Sequence, residues 1–274
     1  MDAGLKPLTL TRYLGGVPQP AAKPVIREAL CTLHVNGREW LDLLCTPRQI
    51  EALVYGFLAN EGVIAGADEV RSLDIADGYL GVTLQNPAVV PPPRRALTTG
   101  CGGGTTFVDV AGAFAPVQAD LQVTPTQVLA LMKRLQENAT LYQASGGVHA
   151  SGLASGDELL VTAEDVGRHN TLDKIRGECL LGGLSPRGKI LLTTGRVSSE
   201  MLIKAVRMDV PVLISHSSPT DLAVQLARAL QVTLIGYARG NRFDVYAGEE
   251  RVQPDRPSGA CSAAALRVAE PVDA

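Results

Sequence analysis

One cysteine set among glycines is the first place in this 274-residue chain where chemistry could be done. Cys101 lies in Arg94-Arg95-Ala96-Leu97-Thr98-Thr99-Gly100-Cys101-Gly102-Gly103-Gly104-Thr105-Thr106, behind the proline run Pro91 to Pro93. The segment has neither helical nor strand periodicity and no apolar face to bury. Glycine places no side chain around the sulfur, and its backbone N–H can turn toward an anion. With Arg94 and Arg95 nearby, the thiol is a candidate for a lowered pKa and hence for reactivity. Composition alone fits a plain interdomain linker as well as it fits a reactive loop.

A second set of residues gathers between Lys189 and Tyr246. Short continuous apolar runs at Lys189–Thr194, Val210–Ser215 and Val232–Tyr237 alternate with helical patterns, which reads as a parallel sheet with right-handed crossovers. A fourth strand is expected at Phe243–Tyr246. Ligands of open α/β sheets bind beyond the carboxyl ends of the strands, where helix N-termini offer free N–H groups. That edge would carry Arg196, Ser198 and Ser199 after the first strand, and His216, Ser217 and Ser218 after the second. After the third come Tyr237, Ala238, Arg239, Gly240, Asn241 and Arg242. Hydroxyls and positive charge together predict an anionic, phosphate-bearing ligand. Taken singly, each serine is an ordinary helix cap and each arginine an ordinary surface charge; three successive strand ends of matching chemistry favour a site.

The third candidate is the polar stretch from Glu164 to Lys174, read as a helix start that puts Asp165 and His169 on one face. Gly167 inside it suggests a close backbone approach. His149, which follows two glycines at a turn, is the other histidine with a claim to the ligand. A deaminase-type zinc site needs His-x-Glu with Pro-Cys-x-x-Cys, and neither occurs, so no metal is expected. A G-x-S-x-G elbow, a P-loop and a strand-borne GxGxxG are also missing.

The elements that must position these groups fall into two units. Residues 24–93 read as a small α+β domain. Asn36-Gly37 marks a hairpin, Thr46-Pro47 would cap a helix carrying Ile50, Leu53, Val54, Phe57 and Leu58, and two strands follow near Val70–Ile75 and Tyr79–Leu84. Residues 94–122 are the glycine-rich loop. Residues 123–248 form the larger α/β domain, opened by a Thr124-Pro125 helix to about Leu141, and 249–274 are a polar tail. Residues 1–23 read as a short strand and a Pro/Ala spacer. Ser218 is expected to cap the helix that starts at Pro219.

An apolar fraction of 46% supports a real core, and the net charge of −3 argues against nucleic acid. No apolar run reaches the length of a membrane span, and the N-terminal residues lack a secretory pattern. The five cysteines, Cys31, Cys45, Cys101, Cys179 and Cys261, include no CxxC pair. Cys31 and Cys45 read as buried small hydrophobes, and a cytoplasmic setting fits.

Taken in order, several segments resemble the FdhD family, sulfur carrier proteins needed to make active formate dehydrogenases. They are TPRQIEALVYGFLANEGVI, TTGCG, SGGVHA, EDVGRHNTLDKIRG, TGRVSSEMLIKA, SSPTDLAV and LIGYARGNRFDVY, together covering roughly residues 26–248. The resemblance implies a larger domain like the cytidine deaminase fold without its zinc, and a homodimer. It also implies a cysteine desulfurase that gives a sulfane sulfur to Cys101. The sulfur would pass to the molybdenum cofactor, in its bis(molybdopterin guanine dinucleotide) form, for a formate dehydrogenase catalytic subunit. The turn Tyr237 to Arg242 matches the segment assigned to cofactor binding. Many relatives carry Cys-x-x-Cys in the loop, but here the second position is Gly104, so no intraloop disulfide or thiol relay is available. That departure keeps a second reading in play, a delivery chaperone that binds the cofactor without moving sulfur. A third, a hydrolase or transferase using His149, Asp165 and His169, has less behind it.

Overall fold

The computed structural model describes residues 4–91 and 112–255. Cys101, Arg94, Arg95, Gly104 and Cys261 lie outside the described residues. The described residues form three sheets. The first is a ribbon of β1 (Leu5–Leu14) and β2 (Val17–Ile26). The Pro/Ala segment, expected to be a spacer, is therefore a strand. Gly15 and Gly16 both take positive φ and turn the chain, and Pro18, Pro20 and Pro24 occupy alternate positions facing Tyr13, Thr11 and Pro7. Two and four residues apart, they fall on the same side of the strand and leave the intervening amides free to bond across the ribbon, a pattern that a residue-by-residue reading of prolines misses.

The second sheet has the order β4-β3-β6-β5, from β3 (Ala29–Val35), β4 (Arg38–Cys45), β5 (Val70–Ala76) and β6 (Tyr79–Leu84). Asn36 and Gly37 both have positive φ, as a type I′ hairpin requires. Alternation places Cys31, Leu33 and Val35 of β3 and Leu41, Leu43 and Cys45 of β4 in one core with Leu53, Val54 and Leu58 of α1 (Ile50–Asn60). Cys31, Cys45 and Cys179 are free and buried; burial, first of all, pushes the Cys45 thiol up to about 12 and Cys179 up to about 11. Neither is a nucleophile at neutral pH.

The third sheet has six strands in the order β12-β11-β10-β9-β7-β8. Its centre is β9 (Ile190–Thr193), β10 (Val212–Ser215) and β11 (Thr233–Arg239), mutually parallel as expected. The outer strands β7 (His149–Ser155), β8 (Glu158–Asp165) and β12 (Arg242–Ala247) pair antiparallel with their neighbours. Helices α2 (Pro125–Asn138), α3 (Thr140–Ser145), α4 (Arg168–Leu181), α5 (Ser199–Arg207) and α6 (Asp221–Ala229) surround it. Two buried clusters line its faces, one with α4, α5 and α6 and one with α2.

Four local expectations change. Thr46 does not cap α1: Gln49, in a left-handed conformation, precedes the first turn. Thr46 is instead claimed by the larger sheet, its N–H donating to Asp165 Oδ2 at 3.0 Å while its Oγ1 accepts from the Val166 N–H. The helix of Thr124-Pro125 breaks at Ala139, giving α2 and α3. The cap of α6 is Thr220, not Ser218, because Val197 bridges to Pro219 and holds residues 218–220 extended. Finally, residues 249–255, read as the start of a polar tail, are folded: Val252 bridges to Val123, and Asp255 accepts from Thr126 at the start of α2.

The two larger sheets meet through α1 and α4, which cross at Gly56 and Gly177. A methyl group on Gly56 would fall on the Asp173 carbonyl oxygen, and one on Gly177 on that of Ala52. No side chain fits between these backbones. Gly177→Ala is therefore expected to cost at least the ~1–3 kcal/mol typical of overpacking, measured as a lowered urea midpoint with unchanged slope. An unchanged midpoint would mean that the two helices are not held together.

Candidate functional site

The carboxyl ends of β9, β10 and β11 share one edge of the six-stranded sheet. Because β7 runs antiparallel to β9, its first residue, His149, joins that edge, opposite Asp165 at the end of β8. The start of α4 lies there too, with Gly167 as its N-cap and no side chain capping it. Local sequence explains each approach. Ser198 caps α5 through the Met201 N–H, and Thr220 caps α6 through the Ala223 N–H, so both helices begin at the edge. Buried hydroxyls tie the floor together. Ser151 Oγ lies 2.6 Å from Thr171 Oγ1 and 3.1 Å from Thr193 Oγ1, Thr193 Oγ1 accepts from the Gly195 N–H, and Thr171 donates to the Arg168 carbonyl.

Of the residues expected at the site, His149, His169, Arg196, Ser198 and Ser199 are gathered around the β9–α5 turn. His169 Nε2 sits 3.2 Å from Ser198 Oγ and 3.1 Å from Glu200 Oε2. Burial, then the charge of Arg168, pushes His169 down to about 4; its contact with Glu200 at neutral pH is thus a hydrogen bond rather than an ion pair. His149 is lowered by burial and by Arg168, and His216 by burial and by Arg239. Burial also raises Glu200, against the pull of Lys204 and Arg168. Three histidines kept neutral beside arginines make a rim that an anion would suit.

The Tyr237–Arg242 turn occupies the β11 end of the same edge. Tyr237 has φ +51° within an irregular stretch of β11, and its N–H donates to the Ser217 carbonyl at 3.0 Å. A left-handed aromatic residue is uncommon and costs about 1–3 kcal/mol, so the surroundings hold it there. Arg239 lies over the Tyr237 ring at 5.4 Å, and Arg239, Gly240, Asn241 and Arg242 are exposed. Ala238 points into the core, fully buried, and presents no side chain to a ligand.

Asp165 is placed differently from its expectation. The Glu164–Lys174 stretch is not one helix: Glu164 and Asp165 finish β8, and α4 starts at Arg168. Strand pairing with His149 and Ala150 wins over the helical spacing. Asp165 is fully buried, 2.6 Å from Lys174 Nζ, and accepts from Thr46, Gly167 and Asn170. Its oxygens are committed to the fold. Sequence reasoning missed two residues. Arg168 is wedged against Gly195, where an added methyl would press on its Cβ, and Glu200 lies beside His169. Both stand beside expected site residues in sequence, Arg168 next to His169 and Glu200 next to Ser199.

Other features lie elsewhere. A hollow of about 400 Å³ is lined by Arg134, Asn138 and the Glu158–Thr162 part of β8, with none of the rim residues. Among the described residues no group of three His, Cys, Asp or Glu side chains is gathered to hold a metal, and no helix is long and apolar enough to cross a membrane.

Fold and site together define an α/β protein whose strand-end rim, built of neutral histidines, serines and arginines, is suited to a phosphorylated or otherwise anionic ligand. The chain belongs to the FdhD/NarQ family, whose model matches residues 26–253. It is 39% identical over 250 residues to the sulfur carrier protein FdhD of Bacillus subtilis (strain 168), covering 88% of this chain and 95% of that one. The protein of the same name from Shouchella clausii is 37% identical over 252 residues, covering 88% and 94%. A crystal structure described as a candidate formate dehydrogenase accessory protein from Desulfotalea psychrophila superposes with a TM-score of 0.77 at 27% identity, covering 91% of this chain and all of that one.

The lowered histidine has a consequence for stability. His169 in the unfolded chain gains its proton near 6.5, whereas in the fold it does so only near 4. Between those values the unfolded state binds more protons, so this residue makes stability rise with pH across that interval. Glu200, shifted upward, acts in the opposite sense. Urea unfolding of the chain and of His169→Gln from pH 4 to 7 is expected to show a shallower rise in the variant. Parallel curves would contradict a neutral His169.

Proposed function

We propose that the chain is a sulfur carrier that accepts a sulfane sulfur on Cys101 and passes it to a molybdenum cofactor bound at the strand-end rim, in support of a formate dehydrogenase. Family membership is one support, since the curated relatives are named sulfur carrier proteins. The observation that carries the reading to a ligand is the rim itself. His149 and His169 are held neutral beside Arg168 and Arg196, and Arg239 and Arg242 stand exposed at the far end. Phosphates and the guanine dinucleotide of the cofactor would meet cations and donors there, without the P-loop that the sequence lacks. The cofactor is cargo in this reading.

Loading is a thiol–persulfide exchange. The Cys101 thiolate attacks the outer sulfur of a persulfide on a cysteine desulfurase, and the inner sulfur leaves as the donor's thiolate. One S–S bond forms and one breaks, with no net oxidation. In this reading the segment around Cys101 joins a small unit to a larger, cytidine-deaminase-like one and presents the sulfur, while the end of that segment is seated on the larger unit, with Val117 buried and its N–H donating to the Leu230 carbonyl. A homodimer working in the cytoplasm belongs to the same proposal. With Gly104 in the second position, Cys101 has no neighbouring thiol in Cys-x-x-Cys spacing, so a single thiol performs acceptance and release.

Intact mass after incubation with a cysteine desulfurase and free cysteine is expected to rise by one sulfur, and not to do so in Cys101→Ser. No gain in a chain that still binds the cofactor would favour the delivery-chaperone reading, which Gly104 keeps open. Arg242→Ala is expected to weaken binding of GDP, a stand-in for the guanine end, by roughly tenfold, the loss of one charge-assisted contact. Unchanged affinity would move the guanine end away from the Tyr237–Arg242 turn.

A further inference from the structure

The rim has two unlike ends. At the β11 end Arg239, stacked over Tyr237, and Arg242 are exposed to solvent. At the other end Arg168 is half-buried and fixed from several sides. Its stem packs on Gly195, and its backbone carbonyl accepts from Thr171, which belongs to the buried hydroxyl network on the floor. The guanidinium Nε is buried and finds no acceptor among the described residues. A buried guanidinium N–H left without an acceptor costs free energy, so its retention calls for an explanation in function. Nearby stand His149, His169 and Arg196, which add positive or neutral character, and Glu200, whose carboxylate is engaged with His169.

We infer that Arg168, seated on Gly195 between His149 and His169, is the residue that fixes an anionic oxygen group of the ligand, a phosphate or pyrophosphate, at the inner end of the rim. This rests on the reading of the rim as the cofactor site and adds to it a half-buried anchor, distinct from the exposed Arg239 and Arg242. A planar guanidinium held in place loses little on binding and matches two oxygens at once, which an ammonium does not. Gly195 is then required by the anchor: a side chain at that position would displace the arginine stem. An anion at Arg168 would also offset the positive charge that, with burial, keeps His169 neutral, so binding is expected to draw a proton toward that imidazole.

The full-length chain, Arg168→Gln, Arg168→Lys and Arg242→Ala are compared by calorimetry with two probes, GDP and inorganic pyrophosphate. Arg168→Gln is expected to weaken both by about tenfold or more and Arg168→Lys by less, whereas Arg242→Ala weakens GDP and spares pyrophosphate. In the ligand-free Arg168→Gln chain the His169 imidazole, followed by NMR, titrates higher than in the parent, where burial and then the charge of Arg168 hold it down. A merely structural arginine would not produce that shift together with the loss of both probes. If Arg168→Gln does not fold, Arg168→Lys decides, and affinities within twofold of the parent overturn the anchor. Loss of pyrophosphate binding in Arg168→Gln, in a parent that does not distinguish GDP from pyrophosphate, supports the anchor while removing the guanine reading. A parent that binds neither probe overturns both.

Discussion

A lysine and an aspartate with no solvent around them hold this molecule in register. Lys174 Nζ lies 2.6 Å from Asp165, both side chains are fully buried, and the ammonium also donates to the carbonyls of Thr46 and Glu164. Thr46 follows β4 of the small sheet, Asp165 ends β8 of the large one, and Lys174 is in the middle of α4. One charge pair therefore joins three elements, and removing either partner would strand a charge in the core, a loss on the order of 3–5 kcal/mol. A second pair continues the seam: Lys204 of α5 binds Asp173, which also accepts from Asn60 of α1 at 2.7 Å. With Gly56 and Gly177 bringing the α1 and α4 backbones together, little freedom remains between the two sheets.

That seam fixes the position of the site. Asp165 pairs with His149 across the β7–β8 ladder, and two residues later Gly167 starts α4, so Arg168 and His169 are carried to the strand-end rim by the element the ion pair anchors. The same Asp165 accepts from the Gly167 N–H and the Asn170 side chain, shaping the turn into the helix. Charge at the rim is arranged against this fixed frame. Burial and the neighbouring arginines keep His149 and His169 neutral, and in the proposed reading an anion would offset that positive charge. The rim thus has a half-buried inner end at Arg168 and an exposed arginine end at Arg239 and Arg242, the two ends the proposed ligand would span.

The sequence displayed much of this. The parallel β9–β11 core was legible because each strand is a short unbroken apolar run followed by a helix pattern, and burial on both faces permits no other composition. The shared edge followed from topology, and it brought Arg196, Ser198, Ser199, Ser217 and the Tyr237–Arg242 turn to one rim. The β3–β4 hairpin was legible from Asn36-Gly37. Other signals were misread because a local rule was overruled by a distant partner. Thr46 looks like a helix cap yet serves Asp165, more than a hundred residues away. Ser218-Pro219 looks like a helix start, yet the Val197 bridge keeps it extended. Glu164 and Asp165 look like the first turn of a helix, yet the β7 ladder claims them.

What the sequence by itself determined was the set of elements and the chemistry along each strand end, since hydrophobic period, glycine turns and capping hydroxyls act within a few residues. It also singled out Cys101 as a thiol flanked by glycines along the chain, and Gly104 as the position where a second thiol would complete Cys-x-x-Cys. Which carboxylate serves the fold and which groups face the rim was decided only by tertiary structure. Asp165 and His169 are four residues apart, but one is sealed beneath Lys174 and the other stands at the edge. Arg168 and Gly195 are 27 positions apart in sequence, yet they touch. Burial and charge compensation are properties of what a residue meets in space, and no spacing along the chain encodes them.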